Sequence, residues 1–246
     1  MISSDFTRIL TKLTGTVCIG CERTHFGDAP WCDRCAEALP WWDAGQACVR
    51  CGEALASGGS ETAGVCTRCA ASPPSFQSTQ AAFWYRAPVD RWVHRLKFHR
   101  ALPYATALGT ALATTAEPRG DLLLPIPLAP ERQRTRGFNQ AAEITRTVAR
   151  IWGIPWQADG LRRCKETAMQ ATLDRAHRVE NVAQAFVVRD RRLVTGRNVM
   201  VVDDVMTTGA TLAAASEALR AAGANAVHLL VAARTAAPAS AGDGTI

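Results

Sequence analysis

Eight of the nine cysteines fall in four Cys-x2-Cys pairs near the start of the chain: Cys18/Cys21, Cys32/Cys35, Cys48/Cys51 and Cys66/Cys69. Two thiols at that spacing on a tight turn point at one ion, and two such turns complete a tetrahedral sulfur shell. A redox dithiol needs a single pair, so four in succession read as metal sites. Consecutive pairing gives one zinc on Cys18, Cys21, Cys32 and Cys35, and a second on Cys48, Cys51, Cys66 and Cys69. A crossed pairing, first with third and second with fourth, stays open, and iron is the weaker alternative to zinc. Either shell is closed, so the expected role is structural. Gly52 suits the tight backbone of a knuckle. His25 reads as a surface residue, and Cys164 as an ordinary thiol.

Residues 18–69 lack the regular Val, Ile and Leu spacing of a packed core, so metal has to supply the missing stability. The expected organisation is a double zinc ribbon over 1–72, a stiff Ser-Pro-Pro-Ser linker, an α/β domain over 76–234 and a small-residue, disordered tail over 235–246. Across the 246 residues the apolar fraction is 48%, enough for a core, and the formal net charge is +6, which suits an anionic partner. No run of about 18 apolar residues is present for a spanning helix. The first 18 residues are broken by Asp5, Arg8 and Lys12 and lack a signal peptide's apolar stretch. The expectation is a cytoplasmic chain without membrane insertion.

Beyond residue 76 the pattern alternates strand and helix. AAFWY (81–85) reads as a strand, followed by helical spacing at Val89, Trp92, Val93 and Leu96. LLLPIP (122–127) reads as a buried strand meeting a loop. A helix over 137–152 should bury Phe138, Ala141, Ile144 or Thr145, Val148 and Ile151 on one face. VMVV (199–202) is a second buried strand, 210–222 a helix capped by Gly223, and AVHLLVAAR (226–234) a third strand. Strands separated by helices of this length mean parallel βαβ units, hence an α/β fold with an open, mostly parallel sheet.

The segment VMVVDDVMTTGAT (199–211) carries the most chemistry. A buried strand runs into Asp203 and Asp204, then into a loop of small residues opening a helix. The backbone N–H groups of Thr207, Thr208, Gly209, Ala210 and Thr211 can converge there on an anion, helped by the threonine hydroxyls and the helix N-terminus. Carboxylates beside a phosphate cradle make sense if they bind hydroxyls or reach a divalent cation, and a sugar 5-phosphate meets both demands. No Gly-Lys-Ser/Thr is present, which excludes a Walker loop.

This segment resembles the phosphoribosyl pyrophosphate signature of type I phosphoribosyltransferases. Together with the cysteine pairs and the segments 81–100, 122–141 and 161–186, it makes the chain similar to the ComF family, whose members join a zinc ribbon to a phosphoribosyltransferase-like domain. The resemblance implies phosphoribosyl pyrophosphate as substrate or ligand, with Mg²⁺ and two structural zinc ions. It implies a role in natural competence and DNA uptake, with single-stranded DNA and other competence proteins as partners. Asp203 and Asp204 would correspond to the ribose-binding acids, and Thr207 to Thr211 to the 5-phosphate loop. Residues 125–127 would stand at the pyrophosphate loop, with Arg134 and Arg136 near the leaving group, and 161–181 would form a lid. Met206 departs from the smaller or polar residue of some relatives, with an expected effect on pocket shape. Two function classes follow: a phosphoribosyl-transferring enzyme acting through Asp203, Asp204 and Arg136, or a non-catalytic nucleotide- or single-stranded-DNA-binding factor. The basic segments 91–100, 132–136, 162–165 and 175–178 serve either, although core packing explains Trp92 more simply.

Overall fold

The computed structural model describes residues 15–55, 64–163 and 185–236. In chain order, a short antiparallel pair, β1 (Thr16–Val17) and β2 (Thr24–His25), precedes the helices α1 (Asp33–Glu37) and α2 (Thr67–Ala71). Then come β3 (Ser78–Trp84), α3 (Val89–His99), α4 (Leu102–Thr115), β4 (Leu122–Pro125), α5 (Pro130–Arg136) and α6 (Gln140–Trp152). A small antiparallel pair, β5 (Leu161–Arg163) and β6 (Phe186–Val188), leads to β7 (Asn198–Met206), α7 (Ala210–Ala221) and β8 (Ala226–Arg234).

The strands β3, β8, β7 and β4, in that spatial order, form one fully parallel sheet. Parallel sheets need both faces covered, and this one has an apolar layer on each. Met200 and Val202 of β7 join α3, α4 and α6 in one layer. Val199 and Val201 join α7 and the β5–β6 pair in the other. The chain therefore leaves β4 towards one face and β7 towards the other. Such a switch point opens a crevice beyond the carboxyl ends of the two strands, where open α/β sheets take their ligands.

The α/β pattern read from the sequence holds. The four spaced positions of α3, Val89, Trp92, Val93 and Leu96, are all buried. The helix placed over 137–152 starts later, at Gln140, because Gly137 closes the preceding α5 with a left-handed backbone and Asn139 restarts the chain as the cap of α6. The Asn139 side chain accepts from the N–H groups of Ala141 and Ala142 and donates to the Ile126 carbonyl at 2.9 Å. Ile151 does not join the buried face: it is 43% exposed, and Trp152 packs inward instead, its indole donating to Ala113. Helix α4, rich in alanine and buried over much of its surface, has too little polar contrast to announce itself by periodicity.

The cysteine-rich region packs directly against this domain. Trp31 meets Trp41, Phe83 and Trp92, and Trp92 in turn meets Tyr104. Most of the segment expected as a lid, the Cys164 thiol, and the tail from residue 237 lie outside the described residues.

Candidate functional site

The cysteines gather consecutively. Cys18, Cys21, Cys32 and Cys35 form one group, and Cys48, Cys51, Cys66 and Cys69 the other, with the sulfurs of each group within 4.8 Å of one another. The crossed pairing is excluded. Each group repeats one device: the N–H of its third cysteine points at the sulfur of its first, Cys32 to Cys18 at 3.4 Å and Cys66 to Cys48 at 3.3 Å. Burial alone would raise the Cys18 thiol, but N–H groups of Cys32, Cys21 and Gly20 pull it down to about 6. Cys48 falls to about 7 for the same reason, against its own burial, through Cys66, Cys51 and Arg50. Amide donors aimed at sulfur and four converging thiols fit a closed tetrahedral zinc shell. His25 stands outside both groups.

The second structural feature starts from β7. Strand β4 ends at Pro125, opposite Val202, so on that edge β7 runs on without a neighbour through Asp203 and Asp204. Side chains alternate along a strand. Asp204 is directed to the α3 side, where its Oδ2 lies 2.5 Å from Lys97 Nζ. That buried oxygen otherwise accepts no hydrogen bond among the described residues. Asp203 Oδ1 accepts from the Asp204 N–H at 2.8 Å. Burial, reinforced by the Asp204 charge, pushes the Asp203 carboxyl well above the ordinary carboxylate range.

Lys97 also lines a cavity of about 820 Å³, whose other walls are Tyr85, Phe98, Arg100, Glu131, Arg132, Thr135, Arg136 and Phe138. Four cations line it with one carboxylate, Glu131, and Lys97 links it to Asp204. Arg136 is held by the Gln140 side chain at 2.8 Å and lies over the Phe98 ring at 5.6 Å. Desolvation lowers its pKa, while the Asp204 charge raises it. Arg132 and Arg136 share one face of α5 at i, i+4 spacing. Arg134 falls on another face, is exposed, and is absent from the cavity wall.

The loop after β7 is open to solvent at Thr207, Thr208, Ala210 and Thr211. Gly209 caps α7 with φ of 81° and offers no side chain to the helix N–H groups. A Cβ at this position would press on Met206 Cε at 2.5 Å, the end of a flexible side chain, so it is the left-handed backbone that requires glycine. Met206 itself is buried beneath the loop, and its side chain packs in the core on the α7 side rather than shaping a pocket wall.

A family model, the phosphoribosyl transferase domain, matches residues 146–244. DNA utilization protein YhgH of Escherichia coli (strain K12) is 33% identical over 178 residues, covering 69% of this chain and 78% of that protein. Competence protein F of Haemophilus influenzae is 28% identical over 213 residues, covering 83% of this chain and 84% of that one. The chain belongs to the ComF family. A solved structure of glutamine phosphoribosylpyrophosphate amidotransferase from B. subtilis is similar to part of this ComF-family chain. That likeness has a TM-score of 0.39 at 24% identity, over 52% of this chain and only 26% of the other.

Within the ComF-family chain, Asp204 reaches the cavity through Lys97 and its charge acts on Arg136, while Asp203 and residues 207–211 follow on the same strand and the loop after it. Sequence reasoning passed over Lys97 and Arg100 as individual site residues, whereas Phe98 stood out as an aromatic among bases suited to single-stranded nucleic acid. Their signal was the basic cluster at 91–100, which mixes a buried stripe with a cationic one. It also passed over Arg234, the buried residue that ends β8. No helix among the described residues is long and apolar enough to cross a membrane.

Proposed function

We propose that this chain binds phosphoribosyl pyrophosphate with Mg²⁺ in the crevice at the ends of β4 and β7 and transfers its phosphoribosyl group. The observation that carries this reading is the change of sign across the crevice. Asp204 pairs with Lys97, which shares a cavity wall with Arg100, Arg132 and Arg136, and the same strand runs on into an uncapped helix start at 207–211. A ligand with phosphates at both ends and hydroxyls between them matches that sequence of charges. The loop amides take the 5-phosphate, Asp203 and Asp204 accept from the ribose hydroxyls, and Arg136 with Arg132 pairs the pyrophosphate oxygens. Mg²⁺, held mainly by the ligand's own phosphates, supplies neutralising charge there. Asp204 Oδ2, which apart from Lys97 has no partner among the described residues, and the raised Asp203 carboxyl suit a hydroxyl or cation that arrives with the substrate.

In the transfer, the bond from ribose C1 to pyrophosphate oxygen breaks, its electron pair leaves with pyrophosphate, and a bond from the acceptor to C1 forms. Protein groups then contribute by fixed charge, and no nucleophilic side chain is needed. The test is a calorimetric titration with phosphoribosyl pyrophosphate and Mg²⁺, followed by pyrophosphate release over candidate bases. Binding without release on any acceptor would leave a ligand-binding module in place of an enzyme.

The names of the relatives point to DNA handling in competence, and one surface favours that reading. Phe98 is 65% exposed and packs against His94 at 4.7 Å. A second hollow, lined by Tyr85, Asp90, Arg91, His94, Arg95 and His99, adjoins the first at Tyr85. Alternating rings and cations suit the bases and backbone of single-stranded DNA. Binding that weakens steeply with salt and falls on Phe98→Ala would support this surface.

A further inference from the structure

Arg234 ends β8 and is 1% exposed, yet it carries a full charge. A buried guanidinium needs acceptors for its donors and a counter-charge nearby. It finds them in two places that are far apart in sequence. On one side, Nε donates to the Cys51 carbonyl at 3.0 Å, and Nη2 donates to Glu53 Oε2 at 2.5 Å. On the other side, Nη1 donates to the carbonyls of Thr207 at 2.6 Å and Met206 at 3.2 Å. Nη1 also reaches the carbonyl of Thr235 at 2.7 Å. Cys51 belongs to the second cysteine group, while Met206 and Thr207 begin the loop assigned to the 5-phosphate.

The peptide unit is planar and trans, so a carbonyl fixed in one direction turns the following N–H the opposite way. The Met206 carbonyl, which also accepts from the Thr235 N–H at 3.1 Å, and the Thr207 carbonyl, which Arg234 holds at 2.6 Å, therefore turn the N–H groups of Thr207 and Thr208 away from the guanidinium. These are two of the amides required for an anion cradle. The guanidinium is a rigid fork, and it cannot release one side without disturbing the other.

The Cys51 side is equally constrained. The Cys48 N–H donates to the Glu53 carbonyl at 2.7 Å and the Gly52 N–H to the Cys48 carbonyl at 2.8 Å. Thr79 of β3 holds the same turn: its hydroxyl donates to the Arg50 carbonyl and its N–H to that of Val49. Gly52 has φ of 66°, and a Cβ there would meet Thr79 Cγ2 at 3.1 Å. The position of the Cys51 carbonyl thus depends on the knuckle that the four sulfurs close.

We propose that Arg234 is a positioning residue that ties the shape of the 207–211 loop to metal occupancy of the Cys48, Cys51, Cys66 and Cys69 site. The functional half rests on the phosphate reading above, but the tether does not, and the two are separable by experiment. Hydrogen exchange of the 205–212 segment is measured in the ligand-free, zinc-loaded full chain and in Glu53→Gln, Arg234→Lys, Cys66→Ser and Cys21→Ser. Exchange about tenfold faster or more is expected in the first three, and the wild-type rate in Cys21→Ser, which empties only the first site. A wild-type rate in folded Glu53→Gln, or equal acceleration by Cys66→Ser and Cys21→Ser, would overturn the tether. Because Glu53 lies at the partly open end of the contact, Glu53→Gln decides the matter if the Arg234 or Cys66 variants do not fold. Ribose 5-phosphate affinity, read by calorimetry on the same proteins, should fall at least about tenfold in Glu53→Gln with the exchange change. Accelerated exchange in a chain whose wild type binds no ribose 5-phosphate would retain the tether and sink the phosphate reading.

Discussion

Trp31, from the first cysteine group, lies nearly parallel to Trp92 of α3, with ring centroids 6.4 Å apart and planes 9° apart. Phe83 of β3 meets both rings edge-on at 6.2 Å. The metal-rich region and the sheet domain thus share one apolar cluster, and its loss is felt by both. Trp31→Ala should lower stability by about 3–5 kcal/mol, the usual result for a buried tryptophan. Urea unfolding followed separately by metal release and by helix content checks this. A change below about 1 kcal/mol would mean that the stack does not hold the two parts together.

Metal analysis should return two zinc ions per chain. Cys21→Ser and Cys66→Ser should each lose one ion and keep the other, because the groups draw on separate quartets. Loss of both ions from either variant would contradict independent sites.

Asp203 provides a pH-dependent test. Its folded pKa is raised, first by burial and then by the Asp204 charge. The contribution of such a carboxyl is fully present below its unfolded pKa and is lost as pH rises through the folded value. Asp203→Asn should therefore gain stability over wild type at neutral pH, with the gain shrinking as pH falls towards 4. Affinity for phosphoribosyl pyrophosphate should be lost in the same variant. A uniform stability difference at all pH values would remove the buried charge as its cause.

Arg136 lines the cationic cavity, not the loop. Arg136→Met should weaken pyrophosphate by about 10- to 100-fold, the loss expected for a charged hydrogen-bonding partner, and leave ribose 5-phosphate nearly unchanged. Calorimetry with both ligands separates the outcomes, and equal losses would move Arg136 away from the leaving group. Arg134, exposed on another face of α5, should matter little to either ligand.

Gly209→Ala places a β-carbon in a left-handed backbone and against Met206. A stability loss of about 1–3 kcal/mol is expected, together with weaker ribose 5-phosphate binding. Adding Met206→Ala should relieve the contact but not the backbone cost, so recovery should be partial. Full recovery would assign the whole effect to side-chain crowding.

Much of this arrangement can be read from residue order. The cysteine spacing declares the ligand sets, and the strand running into two acids and a small-residue loop declares the crevice. Strand β8 appears at its read bounds, and α7 ends one residue before its read end. What escapes is whatever depends on two distant segments meeting. Lys97 looks like one more solvated base until α3 is laid beside the end of β7. Arg134 and Arg136 look equivalent until helical rotation separates them. Consecutive and crossed cysteine pairings cannot be distinguished without the path of the backbone, and Arg234 sits at a strand end with no local sign of its partners. Helix α4 was missed for a different reason: its small residues are buried on several sides, which erases the periodic contrast that marks a surface helix.

The pairing of β3 with β8 joins segments that begin at Ser78 and His228, so the strand beneath the second cysteine knuckle gains its neighbour only after 150 further residues exist. On a ribosome the thiols of that knuckle emerge long before Arg234 does. Zinc can close the sulfur shell early, but the carbonyl of Cys51 then waits for a cation made 183 residues later. Such non-local closure is slow and leaves an apolar strand edge uncovered meanwhile. A nascent chain stalled before β8 should therefore bind zinc yet attract chaperones at the β3 edge.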